Sequence, residues 1–163
     1  MRNRPFRILF LCTGNSARSI LAEAVLNRLG AGRFEAYSAG SMPAGKVNPF
    51  TLELLQDHAY PTERLRSKSW DEFARPGAPV MDAIVTVCDN AAGEACPIWP
   101  GRPATAHWGF EDPAAFQGSR QEKRERFNEI YQQIYRRIEE LVALPFETLD
   151  AAARQKLKSM GQK

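Results

Sequence analysis

The sequence has few cysteines and few histidines. Among 163 residues there are three cysteines and two histidines. Three cysteines do not provide a structural disulfide framework, so they indicate thiol chemistry or metal binding. Neither histidine forms a ligand-spaced cluster with a cysteine, which makes metal binding the weaker interpretation. We therefore expect no metal site and no tightly bound cofactor.

Long apolar runs and a strong net charge are also missing. No apolar run approaches the roughly 20 residues that are needed to cross a bilayer. Arg2, Arg4 and Arg7 lie near the start, but the apolar stretch that follows is too short for a signal peptide. The net charge of +3 is small and scattered, which does not indicate a nucleic-acid partner. We expect a cytoplasmic protein that binds neither membrane nor nucleic acid.

Length and patterning predict one α/β domain. A chain of 163 residues without an internal repeat or linker is the usual size of one domain, here 1–163, with 146–163 as a C-terminal helical extension. Strand-like runs alternate with amphipathic helical stripes, so we expect a three-layer fold in which helices cover both faces of a four-stranded parallel sheet. The strands are expected at 6–11, 35–39, 81–88 and 105–108. A helix is expected to begin near residue 18. Asn48 is a good N-cap, and Leu52, Leu55 and Ala59 form the apolar stripe of the helix that follows it. Two further helices are expected at 127–142 and 146–160.

A cysteine and an arginine are separated by five residues directly after the first predicted strand. The segment comprises Cys12, Thr13, Gly14, Asn15, Ser16, Ala17, Arg18 and Ser19. Small residues allow backbone N–H groups to point at a tetrahedral anion beside a helix N-terminus. Arg18 adds a planar charged fork, and this positive surrounding favours the thiolate of Cys12. The segment therefore predicts an oxyanion-binding loop with a nucleophilic sulfur.

The same residues have a simpler interpretation. A C-x5-R pattern occurs by chance in many chains, and a lone cysteine at the end of a strand is usually an apolar core residue. The preceding strand, the small loop residues and the following helix favour the catalytic interpretation.

Two further groups of residues follow the third and fourth predicted strands. Cys88 and Cys96 flank a segment rich in alanine and glycine, and they interact only if that segment brings their Cα atoms within about 7 Å. Two unrelated cysteines are the alternative. Asp112 follows the fourth strand and precedes Pro113, where a carboxylic acid can protonate a leaving oxygen. Glu111 is an adjacent competitor for that role.

Taken together, these motifs resemble the arsenate reductases built on the low-molecular-weight protein tyrosine phosphatase fold. The resemblance extends from about residue 6 to residue 144. The reductase branch is marked by the Thr-Gly-Asn-Ser form of the loop, by the later cysteine pair and by His107-Trp108-Gly109 before the acidic residues. The segment 65–70 is also typical of that branch. The resemblance implies a flavodoxin-like strand order and the reduction of arsenate to arsenite in arsenic detoxification.

The resemblance also implies individual roles. Cys12 is the nucleophile, Arg18 binds the oxyanion and Asp112 is the acid. Ser19 donates a hydrogen bond to the thiolate, and Asn15 holds the loop, since asparagine tolerates the left-handed conformation. Arsenate is the substrate, and phosphate or sulfate competes with it.

The electron donor and a cation are two further points of the resemblance. Cys88 and Cys96 match the redox cysteines, but seven residues separate them where thioredoxin-coupled members often have six. This favours glutathione with glutaredoxin over thioredoxin as the donor. Some members bind potassium near the loop. Asn15, Glu23 and Ser38 provide candidate oxygens for that ion, but no further acidic ligand is identified, so no metal is predicted.

Two other functions compete with arsenate reduction. A protein tyrosine phosphatase needs an aromatic wall near the acid, and the family's phosphatases place tyrosines shortly after Asp-Pro. Here Pro113 is followed by Ala114, Ala115 and Phe116, which argues against that substrate. A non-enzymatic redox or oxyanion sensor is the other alternative, which an intact nucleophile, arginine and acid disfavour.

Overall fold

Strands and helices alternate along the chain, as the sequence predicts. The computed structural model describes residues 4–87 and 103–143, together with residues 157 and 159. The strands are β1 (Phe6–Cys12), β2 (Phe34–Gly40), β3 (Ala83–Thr86) and β4 (Ala104–His107). The helices are α1 (Arg18–Leu29), α2 (Pro49–Asp57), α3 (Asp71–Ala74) and α4 (Arg120–Val142), and a short 3-10 helix spans Pro113–Ala115.

The four strands form one parallel sheet in the order β2-β1-β3-β4. This confirms the predicted four-stranded α/β fold. Because the strands are parallel, their carboxyl ends meet at one edge, where such sheets bind ligands. At that edge Cys12 pairs with Gly40, and Leu11 pairs with Thr86.

The side chains of β1 alternate between two cores. The even-numbered residues enter the larger core together with α1 and α4. Leu9 and Leu11 enter a smaller core beside Phe73 of α3 and Met81. The strand is therefore buried on both faces, which explains its nearly continuous apolar sequence. Burial of each such side chain stabilises the fold by about 1.5–3 kcal/mol.

Helix α4 begins earlier than the sequence analysis predicted. Its N-cap is Ser119, whose hydroxyl accepts from the Glu122 N–H at 3.1 Å, while the Glu122 carboxylate accepts from the Ser119 N–H at 3.0 Å. This capping box starts the helix at Arg120. The prediction began at Phe127 because the first two turns contain only polar residues, and no apolar stripe marks them.

Other boundaries also differ. Among the described residues the third strand spans Ala83–Thr86. Met81 of the predicted strand 81–88 lies outside it, because its apolar side chain fills the smaller core. The predicted cap at Asn48 is confirmed, since its side chain accepts from the Phe50 N–H at 2.9 Å. Ala59, which was assigned to the same helical stripe, lies beyond the end of α2 with φ 62°.

The remaining differences concern two short segments. The four-residue helix α3 was not predicted, since four residues give no measurable period. Most of the predicted C-terminal helix lies outside the described residues, but Leu157 is helical and fully buried in the larger core. Within the described ranges, no helix is both long and apolar enough to cross a bilayer.

Candidate active site

Cys12 is the last residue of β1, at the ligand-binding edge of the sheet. Its side chain is buried, with 4% exposure. The loop 13–17 follows, and α1 begins at Arg18. The structure therefore places the predicted cysteine and arginine at the two ends of one short strand-to-helix connection.

Asn15 holds the middle of this loop in a left-handed conformation. Its φ is 49°, and its side chain is fully buried. The amide oxygen accepts from the Lys68 N–H at 2.9 Å, and the amide nitrogen donates to Ser19 Oγ at 2.7 Å. The expectation that asparagine supports this backbone shape is confirmed. Because Ser19 Oγ accepts from Asn15, its own proton points to a different acceptor.

The loop carbonyls point away from the loop interior. N–H groups of the segment 42–48 donate to the carbonyls of Thr13, Gly14 and Ser16 at 2.9–3.0 Å. The Ser67 hydroxyl adds a second donor to the Gly14 carbonyl at 3.1 Å. In a planar trans peptide the carbonyl and the next N–H point in opposite directions. Outward carbonyls therefore direct the following N–H groups inward, where an anion can accept from them.

The start of α1 and the Arg18 side chain complete a positive cradle. The N-cap residue Ala17 provides no capping side chain, and no acidic residue lies in the first turn. Arg18 donates from Nη1 to the Phe110 carbonyl at 3.0 Å. Its Nε is buried and has no hydrogen-bond partner in the described part of the chain. An oxygen of a bound anion supplies such an acceptor.

Gly40 allows β2 to approach the loop closely. A Cβ on this residue would lie 2.4 Å from the Thr13 carbonyl oxygen and 3.0 Å from Asn15 Cβ. Only glycine fits that space. The predicted strand 35–39 ends directly before Gly40, but this role of the glycine was not predicted. The signal was available, because the ends of neighbouring parallel strands meet beside the predicted loop.

The acid loop, residues 110–115, places Asp112 next to Arg18. One carboxylate oxygen of Asp112 accepts from the Ala114 N–H at 3.0 Å, and the other lies 3.5 Å from Arg18 Nη2. Glu111 instead lies 3.4 Å from Arg126 Nη1 and is more exposed. The geometry therefore favours Asp112 over Glu111 as the group that faces the oxyanion loop.

Two buried aromatic residues anchor the acid loop. The Trp108 N–H donates to the Thr86 carbonyl at 2.7 Å, and the Phe110 N–H donates to the Val87 carbonyl at 3.2 Å. The Trp108 indole N–H donates to the Leu157 carbonyl at 3.4 Å. These contacts fix the chain up to residue 110, whereas the Asp112 side chain is 40% exposed.

The two other predicted redox residues, Cys88 and Cys96, lie outside the described residues. The structure describes the chain up to Val87, whose N–H donates to the Leu11 carbonyl at 2.9 Å. The residue before Cys88 is thus bonded to the residue before Cys12.

A buried charged cluster lies beneath the loop. Lys68 Nζ donates to the Ser38 carbonyl at 2.8 Å and lies 3.9 Å from Glu23 Oε1, and the Ser38 hydroxyl donates to the Glu23 carboxylate. Burial raises the pKa of Glu23 and lowers the pKa of Lys68, and the attraction between the two charges opposes both shifts. The oxygens considered for potassium do not fit that ion here, because an ammonium group already contacts two of the three residues and Asn15 binds main chain.

Comparison with known proteins agrees with this geometry. The family model for low-molecular-weight phosphotyrosine protein phosphatases matches residues 7–157. An arsenate reductase of Halalkalibacterium halodurans is 35% identical over 131 residues, which are 80% of this chain and 91% of that protein.

Two solved structures share the fold and are more than a quarter identical in sequence. The arsenate reductase of Archaeoglobus fulgidus superposes with a TM-score of 0.66 at 28% identity, covering 84% of this chain and 99% of that one. A thioredoxin-dependent arsenate reductase of Corynebacterium glutamicum gives a TM-score of 0.61 at 26% identity, covering 86% and 61%. The chain therefore belongs to the low-molecular-weight phosphotyrosine protein phosphatase family, in the group that contains the arsenate reductases.

Proposed function

We propose that this chain is an arsenate reductase in which Cys12 is the nucleophile. The main supporting observation is the buried cysteine before a loop in which the carbonyls of Thr13, Gly14 and Ser16 bind outward, beside an Arg18 Nε that has no acceptor among the described residues. This arrangement suits a tetrahedral oxyanion. The similarity to proteins described as arsenate reductases selects arsenate among such anions.

The first chemical step forms a sulfur–arsenic bond. The Cys12 thiolate attacks arsenate, and the arsenate hydroxyl departs as water after it receives a proton from Asp112. Inward N–H groups and Arg18 stabilise the charge on the remaining oxygens. Ser19 donates to the thiolate before attack, which keeps the sulfur deprotonated.

The second step supplies the electrons. A second thiolate attacks the Cys12 sulfur, so that a disulfide forms and the sulfur–arsenic bond breaks. The electron pair of that bond stays with arsenic, which leaves as arsenite in the +3 state. Two thiols have then become one disulfide, which is the two-electron oxidation that balances the reduction of arsenic.

Two donors can provide the second thiol. In an internal relay, Cys88 attacks Cys12, and Cys96 then attacks Cys88 and presents the disulfide to thioredoxin. In the external route, glutathione attacks the Cys12 adduct, and glutaredoxin resolves the mixed disulfide. The seven-residue spacing of the cysteines favours the external route. Both routes use thiol reductants of the cytoplasm, where we place the enzyme.

Mass mapping of Cys96→Ser after one turnover distinguishes the two routes. A trapped Cys12–Cys88 disulfide supports the internal relay. A glutathione adduct on Cys12, with activity preserved in the variant, supports the external route. Normal reduction by the variant without glutathione and without either species contradicts both.

A steady-state assay tests the activity itself. We expect arsenite formation from arsenate with a thiol donor, competitive inhibition by phosphate and little hydrolysis of an aryl phosphate. The phosphatase alternative predicts the reverse preference. A sensor predicts neither activity, with a change of shape on oxidation instead.

A further inference from the structure

The Glu23–Ser38–Lys68 cluster lies outside the reaction just described, and we infer that its ammonium group acts as a built-in cation that positions the oxyanion loop. Lys68 is therefore a positioning residue, and the loop does not depend on a bound metal ion. The consequence for turnover rests on the proposed arsenate reduction. The consequence for folding does not.

The contacts of the Lys68 side chain are those of a small cation among oxygens. Nζ lies 2.8 Å from the Ser38 carbonyl oxygen, 3.5 Å from Ser38 Oγ and 3.9 Å from Glu23 Oε1. The Lys68 side chain is 8% exposed and that of Glu23 is 15% exposed. A carboxylate with so little contact with water needs a nearby positive charge. Lys68 provides that charge covalently.

The main chain of Lys68 connects this cluster to the loop. Its N–H donates to the Asn15 amide oxygen at 2.9 Å, and its carbonyl accepts from the Gly40 N–H at 2.9 Å. Asn15 holds the left-handed turn of the loop, and Gly40 packs against the carbonyls of Cys12 and Thr13. The ammonium contacts therefore hold Lys68 in place, and the main chain of Lys68 in turn binds Asn15 in the loop and Gly40 beside it.

The cluster also joins three elements of the chain. Glu23 lies on α1, Ser38 lies on β2, and Lys68 lies on the segment that precedes α3. Removal of the ammonium leaves Glu23 without its counter-charge and frees the segment that holds Asn15. Small displacements of catalytic groups reduce rates by as much as about 100-fold.

The test compares wild type with Lys68→Ala, which leaves the oxygens and a space of about the size of a small cation. Lys46→Ala removes an exposed lysine from the neighbouring segment as a matched control. Thermal unfolding and arsenate kcat/KM are measured in potassium chloride and in choline chloride at equal ionic strength. Choline is too large to enter the space.

We expect wild type and Lys46→Ala to behave alike in both salts. In choline, Lys68→Ala should lose about 10- to 100-fold in kcat/KM. Potassium should restore much of that loss and raise the Tm of this variant by about 3 °C, since it binds only the folded state. A purely structural role for Lys68 predicts no difference between the salts.

Several outcomes overturn the inference. One is activation or stabilisation of the wild type by potassium, which shows that Lys68 does not replace the ion. Another is a Lys68→Ala protein that is fully active in choline, and a third is one that is impaired equally in both salts. If no protein turns over arsenate but potassium stabilises Lys68→Ala alone, the proposed function fails and this inference stands.

A double variant covers the case in which Lys68→Ala does not fold. Glu23→Gln/Lys68→Met keeps the volumes and removes both charges, so we expect it to fold and to be insensitive to potassium. Failure of the double variant to fold contradicts the inference, because its cluster has no unpaired charge. A potassium response of the double variant contradicts it as well.

Discussion

The oxyanion loop and the acid loop lie at the same edge of the sheet but are held in different ways. In the oxyanion loop, the carbonyls of Thr13, Gly14 and Ser16 and the side chain of Asn15 all bind groups from other segments. In the acid loop, the described contacts of the Asp112 carboxylate are an ion pair with Arg18 and a hydrogen bond from the nearby Ala114 N–H.

This difference matches the two kinds of chemical work in the proposed mechanism. Stabilisation of developing charge needs donors that are fixed before the reaction, because their reorganisation raises the barrier. An acid has to approach the leaving oxygen and then leave room for the incoming thiol. A half-exposed carboxylate on a lightly held loop suits that sequence of events, whereas the same looseness in the oxyanion loop lowers both affinity and rate.

The largest effect is expected from the sulfur itself. Cys12→Ser should keep the fold, because the two side chains differ little in size, and reduce turnover to below about 10⁻⁴ of wild type. Single-turnover assays with arsenate measure the rate, and phosphate binding by calorimetry reports whether the loop is intact. A folded Cys12→Ser protein that still reduces arsenate contradicts the proposed mechanism.

The acid loop gives the second prediction. Asp112→Asn should slow adduct formation by about 10²–10⁴-fold, since the amide does not donate a proton to the leaving oxygen. Phosphate affinity should change little, because the anion binds mainly to the other loop. Glu111→Gln is the neighbouring control. Greater damage from the control variant means that the acid has been placed one residue out of register.

The third prediction tests how tightly the oxyanion loop is constrained. Gly40→Ala places a Cβ against the Thr13 carbonyl at 2.4 Å. Overpacking of this kind costs about 1–3 kcal/mol, or roughly 5- to 150-fold in affinity if the loop absorbs the strain. Gly30→Ala meets Phe34 at 2.8 Å, far from the loop, and serves as the control. It should lower Tm without weakening phosphate binding, and equal losses of affinity in both variants contradict the prediction.

The smallest effect is expected from the ion pair between Arg66 and Glu72, which flanks Lys68 in the segment that binds the oxyanion loop. A hydrogen bond from Arg66 lowers the pKa of Glu72 on α3. A lowered carboxyl pKa stabilises the fold above the unfolded-state value and loses that contribution as pH falls through the folded-state value. Glu72→Gln should therefore be less stable than wild type by under about 1 kcal/mol at pH 6 and equal to it near pH 3. Urea unfolding across this range measures the difference, and a constant gap argues against the pair.

The sequence predicted those parts of the fold that are marked by local sequence patterns. The apolar β1, the stripe of α1 and the asparagine cap of α2 are local patterns, and each was found where expected. Helix α4 was shortened in the prediction because its polar first turns depend on the Ser119 capping box. The length of β3 depends on its neighbours in the sheet, which no local pattern records.

The candidate site shows the same division. Cys12 and Arg18 lie in one local motif, so spacing alone predicted their proximity. Gly40 and Lys68 act on that motif from other segments, and no local pattern assigns them this role. Such contacts between distant segments become visible only when the strand order and the packing are known.

The outward carbonyls of the oxyanion loop have one more consequence. The amide protons that bind them belong to a surface segment around Met42, whose side chain is 74% exposed. These amides should therefore exchange with deuterated water slowly, although their side chains are solvated. Their exchange rates should rise together whenever the loop opens. Deuterium exchange at the exposed segment 42–48 therefore reports whether the oxyanion loop is closed or open.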